Sequence, residues 1–227
     1  MTNDKDIYII IPCKNEGLGL IETIKSIRKN NPNKIIVSDS STDNTRDLLK
    51  ENYPDVIIID GGLPSIARNN GARISESEYI LFIDADMDIS SVDLEFIKGD
   101  IIKNDIHLAT CKIGVRNAWY NIPYLIFEFV QKLVSIKTPF AVGGFMLFKK
   151  SEFERLGGFK DDDIFAEDYH LSMKVSPKKF KIYKYKALTS DRRLRKKSFF
   201  YMSKLMIKCW LNRNNDEFYK KDYNYWK

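Results

Sequence analysis

The feature that most limits how this chain can fold is a repeated alternation in its first 83 residues. Four short apolar runs, at 7–11, 34–37, 56–59 and 79–83, are separated by polar and amphipathic stretches. Runs this short and this uniformly apolar suit strands buried on both faces. Between the first two, Leu18, Ile21, Ile24 and Ile27 recur at helical spacing and predict a helix over 18–30. Residues 43–52 predict a second helix with Asp43 as its N-cap. Residues 64–75 predict a third, with Pro64 in its first turn. A βαβαβαβ order implies a parallel sheet with helices on both faces. Ligands on such sheets bind at the carboxyl ends of the strands, so the polar residues just after each run are the functional candidates.

The second half is less regular. It predicts helices over 90–103, 119–134 (aromatic-rich and amphipathic), 151–156 (closed by Gly157-Gly158), 168–175 and 198–212. Strands are expected at 108–115, 141–148 and 180–185. With no repeat, low-complexity tract or linker, one domain over 1–197 is expected, followed by a basic, amphipathic appendage over 198–227 that packs on it or on a membrane. Cys13, Cys111 and Cys209 lie far apart without a C-x-x-C pair, which argues against a zinc or disulfide framework and for a reducing compartment. The start MTNDKD is polar and no apolar stretch approaches ~20 residues. A cytoplasmic protein is expected, soluble or peripheral at the inner face of the membrane.

The charge is lopsided. From Lys174 onward there are 17 Lys and Arg against 4 Asp and Glu, a net +13, while the rest of the chain carries −7. Such a tail asks for an anionic partner: nucleic acid, lipid headgroups or a phosphorylated substrate.

After the fourth run come Asp84, Asp86 and Asp88, which would share one side if the strand stayed extended. Clustered carboxylates repel unless a cation or hydrogen bonds compensate. Mg²⁺ and Mn²⁺ take oxygen ligands and share carboxylates with substrate phosphates. A solvated acidic turn is the alternative for an isolated D-x-D. Pro12-Cys13-Lys14-Asn15-Glu16 follows the first run, and Ser38-Asp39-Ser40-Ser41-Thr42-Asp43 ends the second. Ala67-Arg68-Asn69-Asn70-Gly71 lies in the third helix.

Together these four segments resemble the family 2 glycosyltransferases, which have the GT-A fold: a Rossmann-like, mostly parallel central sheet with helices on both faces. The resemblance implies inverting, hexosyltransferase-like transfer from a UDP- or GDP-sugar to a hydroxyl or phosphate acceptor, on a glycan or a lipid, with Mn²⁺ or Mg²⁺ as cofactor. By the same resemblance Pro12, Asn15 and Glu16 border the nucleotide, and Asp39 accepts a hydrogen bond from its base. Arg68 reaches the base or diphosphate, and Asp84 the ribose or diphosphate. Asp86 binds the metal, with Asp84 and Asp88 as further candidate ligands. Ser38 departs from the family, which often has Asp there. For Asn15, Glu16 and Asp39, capping of loops is the alternative role.

Two later segments extend the likeness. Glu167-Asp168-Tyr169-His170-Leu171 resembles the family's E-D-x-x-L, which makes Asp168 the general base, with Glu167 orienting the acceptor or assisting. An acceptor hydroxyl needs such a base as it attacks; an acceptor phosphate would not. The alternative for Asp168 is an N-cap. By the same resemblance Gly143-Gly144 would let backbone approach the donor sugar or acceptor, with Gly144 the candidate contact and a strand bulge the alternative. Arg192 and Arg193 suit the diphosphate, since Arg forks bind phosphate bidentately, or else form a solvated basic turn. His170 is expected on a helix face rather than on the metal. A nucleotidyltransferase remains the second enzyme reading, though no G-x-G loop follows the first run. A nucleic-acid-binding module using the tail is the third; it leaves the acidic clusters unexplained, and nucleic acid is not an expected partner.

Overall fold

The computed structural model describes residues 7–29, 34–115, 121–190, 192 and 199–223, with backbone alone at 121–123, 199, 200, 202 and 203. Seven strands form one mixed sheet: β1 (Ile7–Cys13), β2 (Ile35–Asp39), β3 (Ile57–Asp60), β4 (Tyr79–Phe82), β5 (Leu108–Val115), β6 (Met146–Lys149) and β7 (Phe180–Thr189). Their order is β3-β2-β1-β4-β6-β5-β7. The first four are mutually parallel, as the alternation predicts, and β6 runs antiparallel to both neighbours. Every residue of β1 is buried except Pro12, which fits a central strand covered on both faces.

Helices α1 (Leu18–Arg28), α2 (Thr45–Asn52), α3 (Pro64–Ile74) and α4 (Leu94–Asn104) link the early strands. Then come α5 (Asn121–Ser135), α6 (Lys150–Arg155), α7 (Glu167–Ser172), α8 (Phe199–Leu211) and α9 (Asp216–Tyr219). Pro64 opens α3, as expected. Asp43 does not cap α2: Asn44 holds that position, and Asp43 Oδ1 accepts from Thr45 N at 3.0 Å and Thr45 Oγ1 at 2.5 Å. The 141–148 stretch is strand only from Met146; Val142 and Phe145 close a tight turn ahead of it. The last strand runs to Thr189, four residues past its expected end.

The chain order doubles back at β1. Its successors β2 and β3 lie on one side and β4 on the other. A crevice opens at such a reversal, beyond the carboxyl ends of β1 and β4. Helix α3 sits tightly there because Gly71 has no side chain; a Cβ would come within 2.4 Å of Ile10 Cγ2. That close approach fixes Arg68, one turn earlier on α3.

Helices α8 and α9 pack back onto the domain, where Leu205, Cys209, Phe218 and Tyr219 share a buried cluster with Phe165 and Tyr169. The three cysteines are free and buried. Among the described residues, no helix is long and apolar enough to cross a membrane.

Candidate active site

The loops after β1 and β2 brace each other. Asn15 sits at φ 56°, an αL conformation that Asn tolerates. Its Oδ1 accepts from Thr42 N at 2.8 Å, and its own N–H donates to Ser41 Oγ at 2.8 Å. Asp39, 4% exposed at the end of β2, accepts from Ser41 Oγ at 2.6 Å and Arg46 Nε at 3.1 Å. Asn15 and Asp39 therefore do loop-building work, and a nucleobase would share an Asp39 carboxylate already engaged by Ser41 and Arg46. Pro12 is half-buried beside them. Glu16 reaches out instead, and its Oε1 accepts from Arg192 Nη2 at 2.8 Å.

Arg68 is the centre of the site and does not project from it. It is 1% exposed. Nη2 donates to Asp84 Oδ1 at 2.7 Å and Nη1 to Glu167 Oε1 at 2.5 Å, while the guanidinium lies over the Phe159 ring. The expectation that Arg68 reaches the base or diphosphate is corrected: it is a buried bridge between the turn after β4 and the start of α7. A buried guanidinium requires such partners, because an unpaired charge there costs several kcal/mol.

Asp168 lies beside this bridge. Its Oδ2 accepts from Gly143 N at 2.6 Å and its Oδ1 from Tyr169 N at 2.7 Å. It is not an N-cap; α7 begins one residue earlier, capped by Ala166 at φ 53°. Asp168 is half-buried where Glu167 is buried, so it is the more open carboxylate of the two. Burial pushes Glu167 up to about 7, with Asp168 adding to the rise and Arg68 opposing it. Asp168 is also raised, chiefly by burial, against the lowering effect of the Gly143 N–H and Arg68. A carboxyl held above its usual range beside a fixed cation suits proton transfer.

The glycine that matters here is Gly143, not Gly144. A Cβ on Gly143 would come within 2.7 Å of Arg68 Nη2 and 3.4 Å of Asp168 Oδ2. Gly144 is buried against Met87 instead, where a Cβ would meet the sulfur at 3.2 Å.

The three aspartates after β4 do not converge. The chain turns at Asp84–Met87, so extended geometry is lost. Asp84 turns to Arg68. Asp86 Oδ2 accepts from Ser190 Oγ at 2.6 Å and Thr189 Oγ1 at 3.3 Å, at the end of β7. Asp88 pairs its backbone with Leu188, accepts from Ser90 N at 3.0 Å, and lines a separate depression with Lys25, Arg28 and Tyr53. Among the described residues, no three His, Cys, Asp or Glu side chains form a metal cage. Asp84 and Asp86 are still hard oxygen donors at the crevice, and no hydrogen bond among the described residues engages Asp86 Oδ1. That donor set fits a hard divalent ion completed by substrate phosphates, not an all-protein site.

His170 is buried, with Nδ1 2.7 Å from Asp163 Oδ2 and its ring stacked on Tyr219 at 3.9 Å. It ties α7 to α9, with Nε2 3.2 Å from Asp216 Oδ1. Arg192 is exposed and paired with Glu16; Arg193 lies outside the described residues. Sequence reasoning missed Arg46, Gly143 and Ser190 as supports of Asp39, Asp168 and Asp86. None carried a local signal in those roles: Ser190 directly follows a strand end only because β7 runs to Thr189, past the expected 185.

Residues 8–157 match the family described as glycosyl transferase family 2. The chain is 26% identical over 193 residues to the poly(ribitol-phosphate) β-N-acetylglucosaminyltransferase TarP of Staphylococcus aureus, covering 75% of this chain and 59% of that one. Among solved structures it superposes on S. aureus TarS 1-349 in complex with UDP-GlcNAc with a TM-score of 0.64, at 18% identity, over 82% of this chain and 58% of that one. It also superposes on the mannosyltransferase PcManGT of Pyrobaculum calidifontis, in complex with GDP-Man and Mn²⁺, with a TM-score of 0.63 at 21% identity, over 80% and 56%. This chain thus spans just over half the length of each. These neighbours share the GT-A fold, and nothing among them favours a nucleotidyltransferase or a nucleic-acid-binding module. With the family matched over well more than half of the sequence and a site at the expected strand ends, the chain belongs to glycosyl transferase family 2.

Proposed function

We propose that this chain transfers a hexosyl group from a UDP- or GDP-sugar to an oxygen of a glycan or lipid-linked acceptor, with inversion at the anomeric carbon. The observation that carries the reading is the bridge Asp84–Arg68–Glu167, with Asp168 beside it. It locks a donor-side carboxylate and a base-side carboxylate into one rigid unit. Such preorganisation is what displacement chemistry needs.

Asp168 takes the proton from an acceptor hydroxyl as the oxygen attacks, and Gly143 N–H and Arg68 keep its carboxylate aimed. Glu167 holds Arg68 in place and takes no proton from substrate in this scheme. Asp84 and Asp86 would hold Mn²⁺ or Mg²⁺, which supplies charge neutralisation at the departing diphosphate. Pro12, Asn15 and Asp39 would line the nucleotide. Arg192 would exchange Glu16 for a phosphate oxygen, a stronger fork-to-anion pairing; Arg193 is assigned with it from sequence. The 198–227 segment would act as an appendage to the 1–197 domain, on the cytoplasmic face of a membrane where the acceptor is lipid-linked.

The test is a panel of UDP- and GDP-sugars scored by thermal shift with Mn²⁺, Mg²⁺ or chelator, followed by nucleoside diphosphate release. A donor at 100 times its Kd raises stability by about 2.7 kcal/mol. A chain stabilised by no donor under any of these conditions would sink the reading.

A further inference from the structure

Helix α5 carries more apolar surface than its seat on the core uses: Tyr124 and Phe127 pack inward, yet a second apolar side faces out. Its inward side carries Gln131, fully buried with Nε2 donating to Phe140 O at 2.8 Å. Glu128 also turns in, 13% exposed, and pairs with Lys112 at 2.5 Å and Lys132 at 3.0 Å. Its outward side is apolar. Leu125, Phe129, Leu133 and, just past the helix, Ile136 are 58–70% exposed. Their i, i+4, i+8, i+11 spacing makes them one stripe, widened by the exposed Ile126 and Val130. Packing among the described residues gives no reason to aim six large apolar side chains at water, and a contiguous patch of this kind marks an interaction surface.

Helix α8 repeats the arrangement. Leu205 and Cys209 face inward, while Ile207, Trp210 and Leu211 are 46–64% exposed. Both helices sit on one aromatic cluster. Phe127 of α5 meets Phe140 edge to face at 5.6 Å, and Phe140 meets Tyr169 at 4.9 Å. Tyr169 also belongs to the cluster that seats α8, and it directly follows Asp168. The exposed charge has one sign: Lys132 and Lys137 beside the first stripe, Lys204 and Lys208 beside the second. The one acidic residue of α5 is turned inward, and α8 has none.

We propose that α5 and α8 together form a surface that seats on a bilayer containing anionic lipid. The apolar stripes enter the acyl boundary and the lysine ammoniums stay at headgroup level. A second copy of this chain is the weaker occupant, because a two-fold pairing would press like-charged lysine rows together. The inference rests on the transfer reading for its use, bringing a membrane-held acceptor to Asp168, while the lipid contact itself is measured without sugar transfer.

Flotation of the full chain with vesicles of phosphatidylcholine, alone or mixed with phosphatidylglycerol, tests it. The chain should float with the mixed vesicles at low salt. The triple variant L125E/F129E/L133E should lower the bound fraction by about tenfold or more. K204E/K208E should remove the preference for anionic lipid. Far-ultraviolet circular dichroism and the donor thermal shift, read in every variant, show whether the fold stands. A wild-type chain that stays at the bottom with mixed vesicles overturns the proposal. So does a triple variant that floats as well as wild type, or a wild-type dimer in sedimentation that the triple variant dissolves without any vesicle binding. Donor binding lost while flotation persists would count against the transfer reading alone.

Discussion

Arg68 Nη2 lies 2.7 Å from Asp84 Oδ1, and this contact joins the third helix to the acidic turn after β4. Because the other arm of the same guanidinium holds Glu167 at 2.5 Å, the two halves of the site cannot move independently. Only a planar fork spans both carboxylates; a lysine ammonium is a single point of charge.

Arg68→Met should therefore be among the most damaging single changes in the chain. It removes the cation and leaves Asp84, Glu167 and Asp168 near one another without compensation. A loss of about 3–5 kcal/mol is expected, read as a lower urea midpoint. Arg68→Lys should fall between the two, and donor-dependent stabilisation should fail in both. The double variant R68M/E167Q should recover part of the loss, because a neutral amide needs no cation. A wild-type midpoint in Arg68→Met would refute the bridge.

The raised carboxyls give opposite pH trends for stability and for transfer. In the unfolded chain Glu167 titrates at about 4.3; in the fold burial lifts it to about 7. Between those values the folded state holds more proton than the unfolded one. Stability should then fall as pH rises through this window and level off above it. Transfer should instead rise with pH, because Asp168 accepts a proton only once it has lost its own. Urea midpoints and initial rates measured from pH 4 to 8 check both signs. Glu167→Gln should remove most of the pH slope in stability. A slope unchanged in Glu167→Gln would assign it to other groups.

Gly143→Ala and Gly144→Ala, adjacent and chemically identical changes, should differ. At Gly143 the new methyl strikes a buried guanidinium that both carboxylates hold in place, so something must shift. A cost of about 1–3 kcal/mol is expected, with a large drop in kcat as Asp168 loses its aim. At Gly144 the neighbour is the flexible Met87 thioether, which gives way more easily. Activity in Gly144→Ala should exceed that in Gly143→Ala. Equal losses would mean that the whole turn, not the Asp168 contact, is what matters.

His170→Ala should act on the fold and not on the metal. The ring fills a buried place between Asp163 and Tyr219, so about 2–4 kcal/mol of stability should go. The Mn²⁺ concentration needed for donor binding should stay at the wild-type value. A rise in that concentration would restore His170 as a metal-site residue.

How far the sequence could be read depended on the range of the forces involved. The parallel half of the sheet was legible because Ile7–Cys13 and its partners are apolar on both faces, which is a local signature. Asp168 and Asp84 could be picked out because each follows a strand or opens a helix in a recognisable segment. Arg68 was found in sequence but given the wrong direction, since nothing local shows that Glu167, 99 positions away, waits for its other arm. Gly143 was indistinguishable from Gly144 for the same reason: which of them faces Arg68 is set by the turn that Val142 and Phe145 close. The spread of Asp84, Asp86 and Asp88 came from the turn after β4, where Met87 N bonds back to Asp84 O and ends the period-two alternation of the strand.

Ser190 should prove to be the support of the metal position. Its hydroxyl donates to Asp86 Oδ2 at 2.6 Å, with Thr189 adding a longer bond at 3.3 Å, so the end of β7 sets the direction of the Asp86 carboxylate. Asp86→Asn keeps the shape and removes the charge, so Mn²⁺-dependent stabilisation by the donor should vanish while metal-free stability stays within about 1 kcal/mol. Ser190→Ala leaves the charge and frees the carboxylate to rotate. It should raise the Mn²⁺ concentration required for donor binding by about 10-fold, the scale seen when a ligand loses its outer-shell partner. Titrating Mn²⁺ against donor-induced thermal shift in the three proteins separates these cases. If Ser190→Ala titrates like wild type while Asp86→Asn fails, Asp86 holds its direction without help from β7. If Asp86→Asn also titrates like wild type, the metal is not held by Asp86.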